Sequence, residues 1–402
     1  MKRIGRLVFV VIGVFMAAKG AAPTRTMAGN SEEPRSGGRS EAALAEPQIV
    51  LQEQPDGAAR IVIRAPGGSR PVVYPVDLSK HYHPARDQSD PTIRRWESYR
   101  FGAFVHFNIN TFCGTEICRV NDPKRFAPSH LDVAGWIATF KKAGMRYAVL
   151  TVRHTSEFLL WDSATTHCDV MASPVAKDVA RAFVRECRRQ RIAPGFYYCM
   201  WGGKKWNPRP NARAVILAQL HELTTQFGEI PLFWIDMMLW APSDLTAQQV
   251  YDAIKSRQRN AVVHLNQHVQ DGAEIRYFPT DVLNGEITLP PLYGHDPYRT
   301  VEGKRYYLPY EFEAVSQGWG VRRVANTPLG PASWFTYGAG RGFESSRTFP
   351  VKPLAKWIKQ AYDRGADNVL VAAAPDHTGR LRPEDAEQLV RLGRALEPYL
   401  NR

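Results

Sequence analysis

The chain has 402 residues, 44% of them hydrophobic and 23% charged, and carries a formal net charge of +13. This is the balance of a soluble globular protein, long enough to bury a core without metals or disulfides, as one large domain with appendages or as two domains. With no basic stripe and no nucleic-acid motif, the positive balance argues against a nucleic-acid partner.

Lys2, Arg3 and Arg6 precede an apolar run from Leu7 to Ala18, and the small residues Gly20, Ala21 and Ala22 follow. A basic region, an apolar stretch and a small-residue zone predict a secretory signal peptide over residues 1–22. The run is shorter than the ~20 residues that span a bilayer. Cleavage and export to a periplasm or beyond are therefore expected, with no membrane association afterwards. Lys2, Arg3, Arg6 and Lys19 supply four of the positive charges, which leaves +9 on the remainder. A positive surface favours anionic partners, sulfated or uronic glycans among them. The five cysteines are 113, 118, 168, 187 and 199. Export permits disulfides, and Cys113 and Cys118 are close enough for a small-loop bridge. No CxxC or Cys/His spacing suggests zinc, so no metal is expected.

Residues 23–46 are rich in Gly, Ser, Arg, Glu and Ala and read as a disordered linker. Gln48–Leu51 and Ala59–Arg64 flank Pro55-Asp56-Gly57, which predicts a β-hairpin appendage within 47–80. The main domain is expected over 90–402, where a strand-then-helix rhythm sets in. Strands are predicted at Phe101–Phe107, Arg146–Val152, Ala193–Cys199, Leu232–Asp236 and Ala261–Leu265. The helices between them fall at Leu131–Ala143, Asp178–Arg189, Ala212–Phe227 and about Thr246–Ser256. Near the C-terminus Leu354–Arg364, Asn368–Ala373 and Pro383–Leu396 read as helix, strand, helix. Continuous apolar strands are those of a parallel sheet covered by helices. No GxGxxG or Walker loop follows an early strand, so a TIM-like (β/α)₈ barrel with a small N-terminal β appendage is expected over a doubly wound sheet. Residues 270–350, rich in Pro, Gly and Tyr, read as long βα loops that carry recognition.

Polar residues fall at successive strand ends: His106, then Arg153 and His154, Tyr197 and Tyr198, Asp236, and Asn266 with His268. Barrels place their chemistry at this end of the strands. Glu286 follows on the next loop. Zinc hydrolysis would need a ligand set, but His106-Phe107-Asn108 lacks a second histidine and no carboxylate completes it by spacing. There is no Gly-x-Ser-x-Gly elbow. Two carboxylates around a sugar fit best, one as nucleophile or base and one as acid. Trp201, Trp206, Trp234 and Trp240 crowd the ends of strands three and four, where aromatic faces suit sugar rings.

Five segments carry a family resemblance. They are Phe101-Gly-Ala-Phe-Val-His-Phe107, Ala148–His154 running on to Phe158-Leu-Leu-Trp161, Pro194-Gly-Phe-Tyr-Tyr198, Phe233-Trp-Ile-Asp236, and Asp367–Gly379. In this order they resemble the motifs of glycoside hydrolase family 29, the α-L-fucosidases, over residues 96–398. The resemblance implies a retaining exo-glycosidase with no cofactor, acting on a fucosylated glycan, with sulfated glycans as a candidate class. By position it implies Asp236 as nucleophile and Glu286 as acid/base, with Glu311 in Tyr310-Glu-Phe-Glu313 as the alternative acid/base. His106, Glu116, His154, Tyr197, Trp234 and His268 would line the sugar pocket, Trp234 packing on the sugar's apolar side. His154-Thr155 stands where the family has His-His, Ile117 where many members have Trp, and Asn266-Gln267-His268 where the family often has Asn-Asp-Arg. No segment resembles the family's C-terminal β-sandwich, so a divergent member lacking it is expected. A sugar-binding barrel without catalysis, and a glycosidase for another sugar such as a β-D-fucoside or α-L-galactoside, are the alternatives.

Overall fold

The computed structural model describes residues 45–118, 122–200, 211–268, 274–318, 325–338 and 345–401. The expected signal peptide, nearly all of the expected linker, Trp201 and Trp206 lie outside the described residues.

The appendage is a three-stranded antiparallel sheet, β1 (Gln48–Glu53), β2 (Ala58–Arg64) and β3 (Val72–Asp77), one strand more than the hairpin read from sequence. Gly57, at φ +83°, occupies the tight turn between β1 and β2. Tyr74 on β3 stacks on His221 at 4.3 Å between ring centroids, and its hydroxyl donates to Glu222 Oε1 at 3.0 Å. Glu222 is fully buried and also accepts from Trp161 Nε1 (2.8 Å), Ser163 Oγ (2.6 Å) and the Ala164 amide (3.0 Å). One hydrogen bond to a buried carboxylate contributes about 1–2 kcal/mol. Tyr74→Phe is expected to lower the urea unfolding free energy by that amount, and an unchanged midpoint would show that this contact does not help hold the appendage.

Helix α1 (Pro91–Glu97) follows, with Asp90 Oδ1 accepting from the Thr92 and Ile93 amides as its N-cap. Ile93 and Trp96 pack with residues of the barrel interior, and Trp96 O accepts from Asn368 Nδ2 at 2.7 Å. Strand β4 (Phe101–Val105) leads through α2 (Asn110–Cys113) to α3 (Val133–Lys142) and β5 (Tyr147–Arg153). Then come α4 (Val179–Gln190), β6 (Ala193–Cys199), α5 (Ala212–Thr225), β7 (Leu232–Asp236), α6 (Ala247–Lys255) and β8 (Val262–Leu265). Helices α3, α4 and α6 start where a side chain can replace the missing intrahelical acceptor. Asp132 caps α3, Asp178 caps α4, and Thr246 with Gln249 forms a capping box on α6.

The described residues between 274 and 350 are more structured than a set of loops. They contain the hairpin β9 (Tyr298–Val301) and β10 (Lys304–Tyr307), then β11 (Glu311–Ala314), β12 (Gln317–Gly318), β13 (Ala325–Thr327), β14 (Gly330–Ala332) and β15 (Arg347–Thr348). Strands β12 to β15 form a small sheet in the order β13-β14-β12-β15. Helix α7 (Val351–Asp363), strand β16 (Asn368–Ala372) and helix α8 (Pro383–Leu400) complete the chain.

The main sheet is parallel, in the order β11-β16-β4-β5-β6-β7-β8. An irregular eighth segment, Thr280–Leu283, lies between its two edges. On one side the Asp281 amide donates to Val263 O (2.8 Å) of β8. On the other, Leu283 bridges Tyr310, and the Glu311 amide donates to Leu283 O (3.0 Å). With that segment in sixth place the sheet closes into the expected (β/α)₈ barrel, and β11 is its seventh strand. The segment is irregular because side chains take part in its ladder. Asp281 Oδ2 accepts the Val263 amide (2.8 Å), and Thr280 Oγ1 accepts the Leu265 amide (3.0 Å).

Two apolar cores result. One lies between strands and helices, and the other fills the barrel with Phe104, Tyr147, Tyr197, Trp234 and Leu370. Gly102 is required here: a Cβ at this position would lie 2.4 Å from the Tyr147 ring. None of the described helices is long and apolar enough to cross a membrane.

Candidate active site

Asp236 is the last residue of β7. Strand alternation puts it on the same inward face as Trp234, one layer nearer the C-terminal rim. Tyr197 Oη donates to its Oδ2 at 2.6 Å. Its Oδ1 accepts from the Met237 amide (2.7 Å) and Asn266 Nδ2 (3.0 Å), and His268 Nε2 lies 2.9 Å away as an ion pair. Burial raises the affinity of Asp236 for a proton. The close contact and charge of His268, then Tyr197 and Asn266, outweigh it and hold the carboxyl well below its ordinary range.

The other ring nitrogen of His268, Nδ1, lies 3.2 Å from Glu286 Oε2. Asp236 and Glu286 thus flank a single imidazole. Burial lowers the His268 imidazole, but its bond and charge contacts with Asp236, then Glu286, raise it to about 10. Three non-glycine residues here have left-handed backbone: Met237 (φ +59°), His268 (φ +48°) and Glu286 (φ +56°). Such conformations cost energy and tend to gather at functional sites. His268 is presented by Gln267, which is fully buried. The Gln267 amide bonds Leu265 O and Tyr277 O and accepts from the backbone amides of Arg276 (2.8 Å) and Tyr277 (2.9 Å). His268 O accepts from Arg276 Nη1 at 3.2 Å.

His106 and His154 complete a wall beside Asp236. Their rings are 6.3 Å apart, and His154 stacks on Tyr197 at 5.4 Å. Burial, reinforced by His154, lowers His106 to about 3. Burial, opposed by the charge of Asp236, lowers His154 to about 4. Both are neutral at physiological pH; His106 Nδ1 donates to Phe104 O (3.4 Å), which leaves its Nε2 as an acceptor, and His154 Nδ1 lies 3.3 Å from Thr155 Oγ1, which leaves its Nε2 for a sugar hydroxyl. The Glu116 carbonyl accepts from Thr155 Oγ1 (2.7 Å) and Asn110 Nδ2 (2.5 Å), on a loop closed by a Cys113–Cys118 disulfide.

Two residues on the wall were not singled out from sequence. Trp334 stacks on His106 at 5.1 Å, and Phe335 packs edge-on against His106 (5.3 Å) and His154 (4.9 Å). They follow β14 in the segment read as loop. Their only sequence signal is an aromatic pair in a Pro- and Gly-rich stretch.

Two expected site residues lie deeper than their roles require. Trp234 is 1% exposed, stacks under Tyr197 at 5.5 Å and donates from Nε1 to Glu311 Oε1 at 3.0 Å. It supports Tyr197 from below instead of facing the opening. Glu311 is the first residue of β11, at the opposite end of its strand from the rim, and is fully buried. It accepts from Tyr147 Oη (2.7 Å) and Trp234 Nε1, with His264 Nδ1 at 3.0 Å from its Oε1. A carboxylate bonded on both oxygens beneath two layers of side chains is not positioned to protonate a leaving group at the rim. His264, Glu311 and Glu313 bring ligand-type atoms within 4.8 Å of one another. The donors already bound to Glu311 account for its place as a hydrogen-bonded barrel layer.

Residues 120–286 match the family model described as Alpha-L-fucosidase. Alpha-L-fucosidase 1 of Arabidopsis thaliana is 30% identical over 149 residues, 35% of this chain and 29% of that protein. Over this segment the chain is similar to the alpha-L-fucosidases. The fold agrees over most of the chain. Alpha-L-fucosidase isoenzyme 1 from Paenibacillus thiaminolyticus superposes with a TM-score of 0.57 at 21% identity, covering 77% of this chain and 76% of that one. A family 29 alpha-L-fucosidase from Bacteroides thetaiotaomicron gives 0.60 at 16% identity, covering 79% and 76%. The chain spans under a third of the length of the curated relatives it matches. The matched segment runs from the loop before α3 to Glu286, and so contains Asp236, His268 and the histidine of the second strand end.

Proposed function

We propose that this protein is a retaining exo-glycosidase that releases terminal α-L-fucose from glycans. The observation that carries the reading is the Asp236–His268–Glu286 arrangement at the rim of the barrel, with neutral His106 and His154 and the Trp334 face beside it. Asp236, kept ionised, attacks the anomeric carbon, and Glu286 protonates the departing oxygen. Water, deprotonated by Glu286, then releases the sugar from Asp236. The family-model match over residues 120–286 and the printed names of the relatives support fucose as the sugar. The basic segment and apolar run over residues 2–18 support export, and the positive remainder of the chain supports an anionic, for instance sulfated, glycan as substrate.

A second reading, a barrel of this family acting on a different sugar, rests on two residues. Thr155 is tied to the Glu116 carbonyl, and His268 occupies the position between the carboxylates. A panel of aryl glycosides separates the readings. Turnover of the α-L-fucoside at least about ten times faster than that of the β-D-fucoside or α-L-galactoside is expected, a margin of about 1.4 kcal/mol in transition-state binding. Preference for either of the others would move the assignment to that sugar, and turnover of none would leave a sugar-binding barrel.

A further inference from the structure

His268 offers both ring nitrogens to carboxylates, Nε2 to Asp236 Oδ1 at 2.9 Å and Nδ1 to Glu286 Oε2 at 3.2 Å. A neutral imidazole carries one N–H, and an ionised carboxylate only accepts. Both contacts are attractive only if the three groups hold one proton beyond a neutral imidazole with two carboxylates. That proton has two places to sit. It can stay on Nδ1, giving an imidazolium between two anions, or pass to Glu286 Oε2, giving a protonated acid facing a neutral ring nitrogen. The second form is the one that glycoside cleavage needs.

We propose that His268 is a positioning residue that keeps one proton available to Glu286 while holding Asp236 ionised, so that a single imidazole sets the charge of both carboxylates. This rests on the proposed glycosidase reading for its consequence and on geometry for its existence. In the first step Asp236 Oδ forms a bond to the anomeric carbon and the glycosidic C–O bond breaks. The leaving oxygen takes the Glu286 proton. The His268–Glu286 pair is then one proton short. In the second step water gives that proton back as its oxygen attacks the anomeric carbon, and the ester bond to Asp236 breaks.

The surroundings restrict other sources of the proton. Asn266 Nδ2 fixes Asp236 Oδ1 and lies 3.4 Å from His268 Nδ1, but it does not titrate. Arg276 meets the backbone carbonyl of His268, not its ring. Across Asp236 stand Tyr197, held as phenol by burial and by the carboxylate, and His154, held neutral. Tyr277 interacts with Asp236 only through space. Glu313 is buried, and burial, then the charges of Glu286, Glu311 and Asp236, raise its proton affinity well above the ordinary value. Of these groups His268 alone touches both carboxylates.

Two measurements test this. The pH dependence of kcat/KM on an aryl α-L-fucoside with a poor leaving group is compared for the natural chain and His268→Gln. The variant's profile is expected to narrow from both sides. Its alkaline limb falls at least one pH unit lower, because the pair's proton is lost sooner. Its acid limb rises, because Asp236 no longer has a cation beside it. A purely structural role would lower the whole profile without moving either limb, and unmoved limbs would overturn the proposal. Independently of any turnover, ¹⁵N-histidine NMR follows the His268 ring, assigned by its loss in His268→Gln. The ring is expected to titrate above pH 8 in the natural chain and at least one unit lower in Asp236→Asn. A ring that titrates near an ordinary imidazole value in the natural chain refutes the proposal even if the glycosidase reading stands. A high, Asp236-dependent titration in a chain that hydrolyses no fucoside would leave the proton relay in place and refute the substrate.

Discussion

Asp236→Asn is expected to reduce kcat on an activated aryl α-L-fucoside by a factor on the order of 10⁴ or more, with the fold intact. The amide has nearly the shape of the carboxylate and can still accept from the Met237 amide, Asn266 or Tyr197. What it loses is the anionic oxygen that attacks and the charge that pairs with His268. Glu286 tells the complementary half of the story. A general acid contributes about 10²–10⁴-fold, and that contribution shrinks when the leaving group departs without help. Glu286→Ala is therefore expected to lose far more activity on a poorly departing alcohol than on a nitrophenol. The pair of variants is read together by comparing the two leaving groups and by checking thermal unfolding of each. An Asp236→Asn chain within about tenfold of the natural rate would remove the nucleophile from the mechanism. A Glu286→Ala loss independent of the leaving group would remove the acid.

How legible this site was depended on how each residue is held. Asp236 stands out in sequence because four apolar residues, Leu232–Ile235, bury a strand on both faces and end in one charge. The same apolar run, without the closing charge in β4, β6 and β16, marks β4, β5, β6 and β16, whose residues are nearly all buried. The sixth barrel segment carries no such signal. Thr280 and Asp281 satisfy its neighbour through side chains, so its polar residues are structural and look like a loop. The seventh strand, Glu311-Phe312-Glu313-Ala314, hides for a different reason. Its apolar residue Phe312 packs outward on Trp357, while two glutamates face into the barrel, which inverts the usual reading of a polar face. Glu286 follows an irregular segment; its place on the loop beyond the strand ends marked it, and the resemblance gave it the acid/base role. Trp334 and Phe335 reach His106 and His154 through a small sheet whose strands are two or three residues long, too short to show a period.

Glu313 carries the largest expected effect on stability. Its carboxyl is 1% exposed, and its Oε1 has no hydrogen-bond partner among the described residues. Burial raises its proton affinity well above the ordinary value, and the charges of Glu286, Glu311 and Asp236 raise it further. In the unfolded chain the same group titrates near 4.3. Below that pH both states are protonated and the group adds no pH dependence. As pH rises past it, the unfolded chain releases the proton while the folded chain keeps it. The folded state binds more protons there, so stability falls by about 1.4 kcal/mol per pH unit until the folded group also ionises. Glu313→Gln keeps the shape and removes the titration. The variant is expected to match the natural chain to within about 1 kcal/mol at pH 4 and to exceed it by on the order of 2–4 kcal/mol at pH 7.5. Urea unfolding at the two pH values measures the difference. A gain that is the same at both would mean that Glu313 is already ionised or solvated in the folded protein. The barrel would then hold a second charge below Asp236, and His268 would have three carboxylates to balance instead of two.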